Sequence, residues 1–152
     1  MIRQTQKFVV WSLLVFMATA CAGHKMMHTP SLHDRLGGKA AIDAVVEDFV
    51  GRLAADPRIK NEKVKARLAV ISVPNLKMHL ANQICAGAGG PCKYTGRDMK
   101  SAHAGLAITS AEFGFVVDDL VATLNKFKVP EKEKGEVLRL LGPMKKDIVE
   151  IN

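Results

Sequence analysis

The residues able to do chemistry in this chain are few. Asp98-Met-Lys-Ser-Ala-His-Ala-Gly-Leu106 reads as one short helix with His103 in its middle. A lone helical histidine is most often a surface residue or a satisfied core residue. Here its neighbours Ala102, Ala104 and Gly105 have almost no bulk, and Met99, one turn back, shares its face. A helical imidazole can direct one ring nitrogen at a metal while its other N–H is held by a carbonyl. Cys85 and Cys92 are the other reactive pair. No Cys-x-x-Cys-His occurs, so covalent c-type haem attachment is not indicated. Ala86-Gly-Ala-Gly-Gly-Pro91 is a flexible connector that would let the two sulfurs meet. Such a bridge would contribute roughly 2–3 kcal/mol by closing a short loop. Two free thiols fit the sequence equally well.

Helices must position these groups. Ile42, Val45, Val46, Phe49, Val50 and Leu53 recur at i, i+3, i+4, i+7, i+8 and i+11, one helical face. Leu36-Gly37-Gly38 is a turn before it, and Asp56-Pro57 ends it. Asn61 to Arg67 is charged and reads as a loop or a short helix. Ser72-Val73-Pro74 starts a helix running to about Cys85, with Leu76, Leu80 and Ile84 on one face. Gly87 to Gly96 is a long glycine-rich connection. Thr109-Ser-Ala-Glu112 is a capping-box pattern. It opens a helix expected to turn Phe113, Val116, Val117, Leu120, Leu124 and Phe127 inward. The last helix follows Pro130, buries Val137, Leu141, Met144 and Ile148, and bends at Gly142-Pro143. Strand signals and internal repeats are absent, so the fold class is all-α.

The first 20 residues read as an export signal. Arg3 and Lys7 form a positive n-region, and Phe8 to Met17 is an apolar run too short for a comfortable membrane span. Ala18-Thr-Ala20 then precedes Cys21. This order resembles a bacterial lipoprotein signal, in which that cysteine carries lipid and becomes the mature N-terminus. Ala18 stands where such signals usually have leucine, and an ordinary secretory signal and an uncleaved anchor are the rival readings. Residues 21–31 then form a tether holding His24 and His28. His33, just beyond it, is expected to be solvated like them. Export places the domain on the periplasmic side of a membrane. Cleavage lowers the net charge from +7 to +5, because Arg3 and Lys7 leave and no acid does. No basic run interleaves with aromatics, which argues against a nucleic-acid partner.

Three stretches carry a family resemblance: Leu32-His-Asp-Arg-Leu-Gly-Gly-Lys-Ala-Ala-Ile-Asp43 with Val46-Glu-Asp-Phe49; Gly89-Gly-Pro-Cys-Lys-Tyr-Thr-Gly-Arg-Asp-Met-Lys100; and Ala102-His103 through Ile108-Thr109 to Phe113. Together they resemble the group I truncated haemoglobins over residues 32–152. The resemblance implies a two-over-two helical sandwich around non-covalent haem b. His103 matches the proximal histidine that binds the iron, and the small neighbours would give clearance for a porphyrin face. Met99, Phe49, Phe113 and Ile84 fall at positions expected to contact the ring, with Tyr94 and Lys93 near a propionate.

The opposite side departs from the pattern. Val50 stands where the family commonly has a tyrosine that donates to bound dioxygen. Leu68 is the nearest match to an aromatic that usually packs on the haem. Leu76 and Leu80 align with distal lining positions, and His79 with a position where some members carry an iron-ligating histidine; at the edge of the apolar face it fits a surface or propionate contact equally well. Gln83 is a second polar contact one turn on. These matches imply a protein that takes oxygen, nitric oxide or carbon monoxide at iron, holds dioxygen weakly, and is six-coordinate where His79 binds. A six-coordinate iron also suits electron transfer with a redox partner or redox sensing. Nitric oxide dioxygenation rests on family analogy alone, and the sequence does not mark an enzyme. The alternative reading is a haem-free helical lipoprotein acting as an interaction module. Cys21→Ser is expected to release the protein from membranes on fractionation; persistent membrane association would count against lipidation.

Overall fold

A computed structural model describes residues 29–151. The leader, Cys21 and the tether through residue 28 lie outside the described residues. Ser31 opens α1 (Leu32–Arg35) with a reciprocal cap. Its hydroxyl accepts from the Asp34 amide, and the Asp34 carboxylate accepts from the Ser31 amide. Gly37 and Gly38 then take φ of 92° and 78°, left-handed values that suit glycine. They turn the chain into α2 (Gly38–Ala55), which buries Ile42, Val46, Phe49 and Val50. The charged segment that reads as loop or helix is a helix, α3 (Glu62–Val70). The Asn61 carboxamide oxygen caps it by accepting from the Lys63 and Val64 amides.

α4 (Val73–Gly87) begins at the Ser72 cap, has Pro74 in its first turn, and runs two residues past its expected end at Cys85. α5 (Met99–His103) is shorter than the sequence suggests. Ala104 is extended and Gly105 is left-handed at φ 77°, so His103 is the last helical residue and not a central one. The capping box of α6 (Ser110–Lys126) forms as expected between Thr109 and Glu112. Its predicted inward face extends one residue too far. Lys128 at φ 55° ends the helix, and Phe127 is 40% exposed. α7 (Glu131–Leu141) leads into a 3-10 turn at Gly142–Met144, the expected bend, and then α8 (Lys145–Ile148). Among the described residues no helix is long and apolar enough to cross a membrane.

α2 is the wall shared by two cores. On one side Ile42, Val46 and Val50 pack with Ala81, Ile84 and Cys85 of α4. On the other, Phe49 packs with Leu120 and Leu124 of α6 and Val137 of α7. Leu80 touches both clusters. An apolar cavity of about 20 Å³ lies at their junction, lined by Ile42, Ile84, Leu124 and Val137 among others. Residues of opposite charge tie helix to helix around these cores. The Arg35 guanidinium of α1 meets Glu133 of α7 at 2.9 Å, with Glu136 beside it. Asp48 of α2 accepts from Lys126, from Arg52 at 2.8 Å and from the fully buried Thr123 hydroxyl at 3.1 Å.

The Lys126 ammonium, then the Arg52 guanidinium and the Thr123 hydroxyl, hold the Asp48 carboxyl down at about 2. A carboxyl depressed by folding stabilises above its unfolded pKa. That contribution fades as pH falls through the folded value. Asp48→Asn is therefore expected to lower Tm at neutral pH and to flatten the decline between pH 3.8 and about 2; an acid profile identical to wild type would exclude Asp48 as a source. Leu124, 2% exposed, is expected to cost about 2–5 kcal/mol when cut to alanine, read from urea unfolding.

Candidate functional site

α5 is too short to hold itself by internal hydrogen bonds. Asp98 caps it, accepting from the Ser101 amide at 2.9 Å. At its other end the His103 Nδ1–H donates to the Met99 carbonyl at 2.8 Å. A carbonyl cannot donate, so Nδ1 carries the proton and Nε2 keeps its lone pair. The turn after His103 is held from the far end of the chain. The Glu150 carboxylate accepts from the Gly105 amide at 2.7 Å and the Ala107 amide at 2.5 Å. Those two amides, Gly105 first, pull the Glu150 carboxyl below the usual range. The tail also pairs along the backbone: Glu150 N–H donates to Ile108 O, and Ser110 N–H to Ile151 O. Asn61 approaches the same turn, donating to Leu106 O at 2.9 Å and to Ala107 O at 3.3 Å. No local signal marks Glu150, and the cap position of Asn61 before α3 gives no sign of its bonds to this turn.

α4 supplies the facing side chains. Leu76, His79, Leu80 and Gln83 are half-buried. His79 Nδ1 is enclosed and makes no hydrogen bond. An enclosed polar nitrogen without a partner costs about 1–3 kcal/mol unless some group meets it. The Gln83 amide nitrogen lies 3.5 Å from Met99 Sδ and 3.3 Å from Met144 Sδ. Gln83 is one turn past His79, and Met99 is one turn before His103. Their contact turns the histidine-bearing faces of α4 and α5 toward each other. Met144, expected as plain core, belongs to this line.

Other predicted residues sit further back. Val50 and Ile84, each 6% exposed, are packed between α2 and α4, so Ile84 is turned into α2. Phe49 is in the second core. Phe113 is half-buried on α6. Leu68 lines a depression between the end of α2 and α3, with Leu53, Pro57, Ile59 and Lys65. Tyr94 meets the His79 ring edge-on, centroids 6.1 Å apart at 74°. Its hydroxyl donates to the Arg97 carbonyl at 2.5 Å. Burial raises the Tyr94 phenol pKa. Cys85 and Cys92 are joined in a disulfide with Cα atoms 5.7 Å apart. His33 is not solvated as expected. Its side chain is 12% exposed, its Nε2 is enclosed without a partner, and its amide donates to Ala88 O at 2.9 Å.

Comparison with known proteins places this arrangement. The family model described as Bacterial-like globin matches residues 31–150. A group 1 truncated hemoglobin of Mycolicibacterium paratuberculosis is 34% identical over 118 residues, covering 78% of this chain and 83% of the relative. One of Synechocystis is 33% identical, covering 74% and 90%. Among solved structures, the 2/2 hemoglobin of a Synechococcus species, in the cyanomet state with covalently attached heme, superposes with a TM-score of 0.69. It is 30% identical, with 79% of this chain and 98% of that one covered. The Fe(III) truncated hemoglobin of Tetrahymena pyriformis gives a TM-score of 0.71 at 24% identity over the same shares. With the helical order, the His103 turn and these matches together, the chain belongs to the bacterial-like globins and is a group 1 truncated haemoglobin with the two-over-two fold.

Proposed function

We propose that this chain binds haem b non-covalently between α4 and α5, with His103 Nε2 as the proximal iron ligand and His79 as the distal one. The observation that carries the reading is the hydrogen bond from His103 to the Met99 carbonyl, which leaves the outward nitrogen as a lone-pair donor. The enclosed, unpartnered His79 Nδ1 supports it from the other side. The donor set fits as well. Among the described residues no three His, Cys, Asp or Glu side chains gather around one point. One or two imidazoles suffice when the remaining ligands arrive with the metal, as in a porphyrin.

Bound there, haem supplies an iron able to take a diatomic gas or to exchange an electron with a redox partner. The chain's own residues set the terms. Val50 has no hydroxyl and is packed into the α2–α4 core, so it offers a bound gas no donor. Leu76 and Leu80 keep the face of α4 apolar beside His79. Carbon monoxide and nitric oxide depend less than dioxygen on a strong donor, so the pocket favours them. His79 competes with any incoming ligand, and the apparent affinity falls by the fraction of time its imidazole is bound. In the cell we place the protein on the periplasmic side, held to a membrane through lipid on Cys21.

Titrating haemin into the full-length protein is expected to give a Soret band with a low-spin ferric spectrum. His103→Ala should abolish stable uptake, and His79→Ala should convert low spin to high spin. Absence of a Soret band would overturn the haem reading, whereas a spectrum unchanged by His79→Ala would remove only that residue from the coordination sphere. Removing a distal imidazole that is bound most of the time should speed carbon monoxide association about 10- to 100-fold, read by stopped flow.

A further inference from the structure

We infer that the Cys85–Cys92 disulfide is a reducible latch that acts through Tyr94 to hold His79 in place; this rests on His79 as the distal ligand. Cys85 is on α4, the helix that carries His79, and is fully buried. Cys92 is in the connector leading to α5, half-buried. Between Pro91 and Arg97 the chain is neither helix nor strand. Among the described residues no backbone hydrogen bond joins that stretch to another element. What ties it to α4 is the bridge, while the Tyr94 hydroxyl bond to Arg97 lies within the stretch and shapes it.

Tyr94 is itself set rigidly. Its hydroxyl is tied to the Arg97 carbonyl at 2.5 Å. Its ring lies on Gly96, where an added Cβ would come within 2.5 Å of the phenol oxygen. The edge-on contact with His79 is therefore delivered by the loop. His79 has no hydrogen bond at Nδ1 to fix its ring. Packing against Tyr94 is left to set the imidazole's orientation, which makes Tyr94 a positioning residue.

The two sulfurs differ in access. Cys85 is 0% exposed, and at Gly90 an added Cβ would come within 2.5 Å of His33 Cδ2 and 2.7 Å of Cys85 Sγ, so Gly90 and its neighbours leave the buried sulfur no opening. Cys92 is the sulfur that a reductant can reach. A thiolate of a dithiol reductant attacks Cys92 Sγ. The S–S bond breaks, and Cys85 leaves as a thiolate that takes a proton. The second thiol of the reductant, as thiolate, then attacks the mixed disulfide. Cys92 leaves as a thiolate and is protonated, and the reductant becomes a disulfide having given up two electrons. The connector then keeps only its internal Tyr94–Arg97 bond, and Tyr94 no longer has a fixed position against His79.

The test uses the full chain carrying Cys21→Ser, so that no third thiol exchanges with the bridge. Ferric, haem-loaded protein is compared before and after phosphine reduction and anaerobic desalting, alongside C85S/C92S, Y94F, Y94L and H79A. Opening the bridge, by either route, should raise the high-spin fraction and speed cyanide association about tenfold. Y94L should do the same with the bridge intact, while Y94F, which keeps the ring, should stay within about twofold of wild type. A second readout needs no haem. The chain has one tyrosine and one tryptophan, so in W11F protein the emission comes from Tyr94 alone, and its anisotropy should fall on reduction. Phosphine acts on folded protein, so the comparison stands even where C85S/C92S does not fold. Unchanged spin state and cyanide rate after reduction, with H79A still high-spin, would overturn the latch and leave ligation standing. An H79A spectrum matching wild type would overturn the ligation reading, and the latch with it.

Discussion

A helix of five residues cannot stand alone, and this protein hangs its principal histidine on the last residue of one. Everything around α5 answers that constraint. Asp98 closes its amino end, and the His103 imidazole satisfies the Met99 carbonyl at the other. The C-terminal segment returns to hold the turn beyond it through Glu150, while α5 packs on α8. The same hydrogen bond that finishes the helix also selects the tautomer, so shape and chemistry are set by one proton. The left-handed Gly105 turns the chain away directly after the imidazole.

The opposite wall is built on different terms. α4 is long, well capped and packed against α2 along Ala81, Ile84 and Cys85. Its outward face is therefore rigidly placed, while the orientation of His79 on that face depends on a neighbour from the connector. One histidine is fixed by a hydrogen bond within its own helix. The other is fixed by contact with Tyr94. That difference suits the roles proposed for them, since a permanent ligand needs a defined lone pair and an exchangeable one needs freedom to leave.

Much of this could be read in the residues, and the reasons for the rest are specific. Periodic signals survived where one helix face decides burial, as in α2, and where a cap is local, as at Ser72 and at Thr109 with Glu112. The length of α5 was not legible, because Ala104 and Gly105 are compatible with helix until Glu150 arrives from 45 residues away. Phe127 fits the inward stripe of α6 by spacing, yet Lys128 ends the helix and leaves the ring exposed. His33 sits next to a polar tether in sequence, but the Ser31 cap and the Ala88 carbonyl fold it inward. The disulfide stood level with free thiols, since a flexible connector permits both.

Asn61 gives the architecture a mechanical property. One side of its carboxamide starts α3, and the other side holds two carbonyls of the turn behind His103. A single planar group thus joins the segment between α2 and α4 to the segment that follows His103. If α3 unwinds from its first turn, the Leu106 and Ala107 carbonyls lose their partner in the same motion. The start of α3 and the turn after His103 thus share one amide that belongs to neither apolar core.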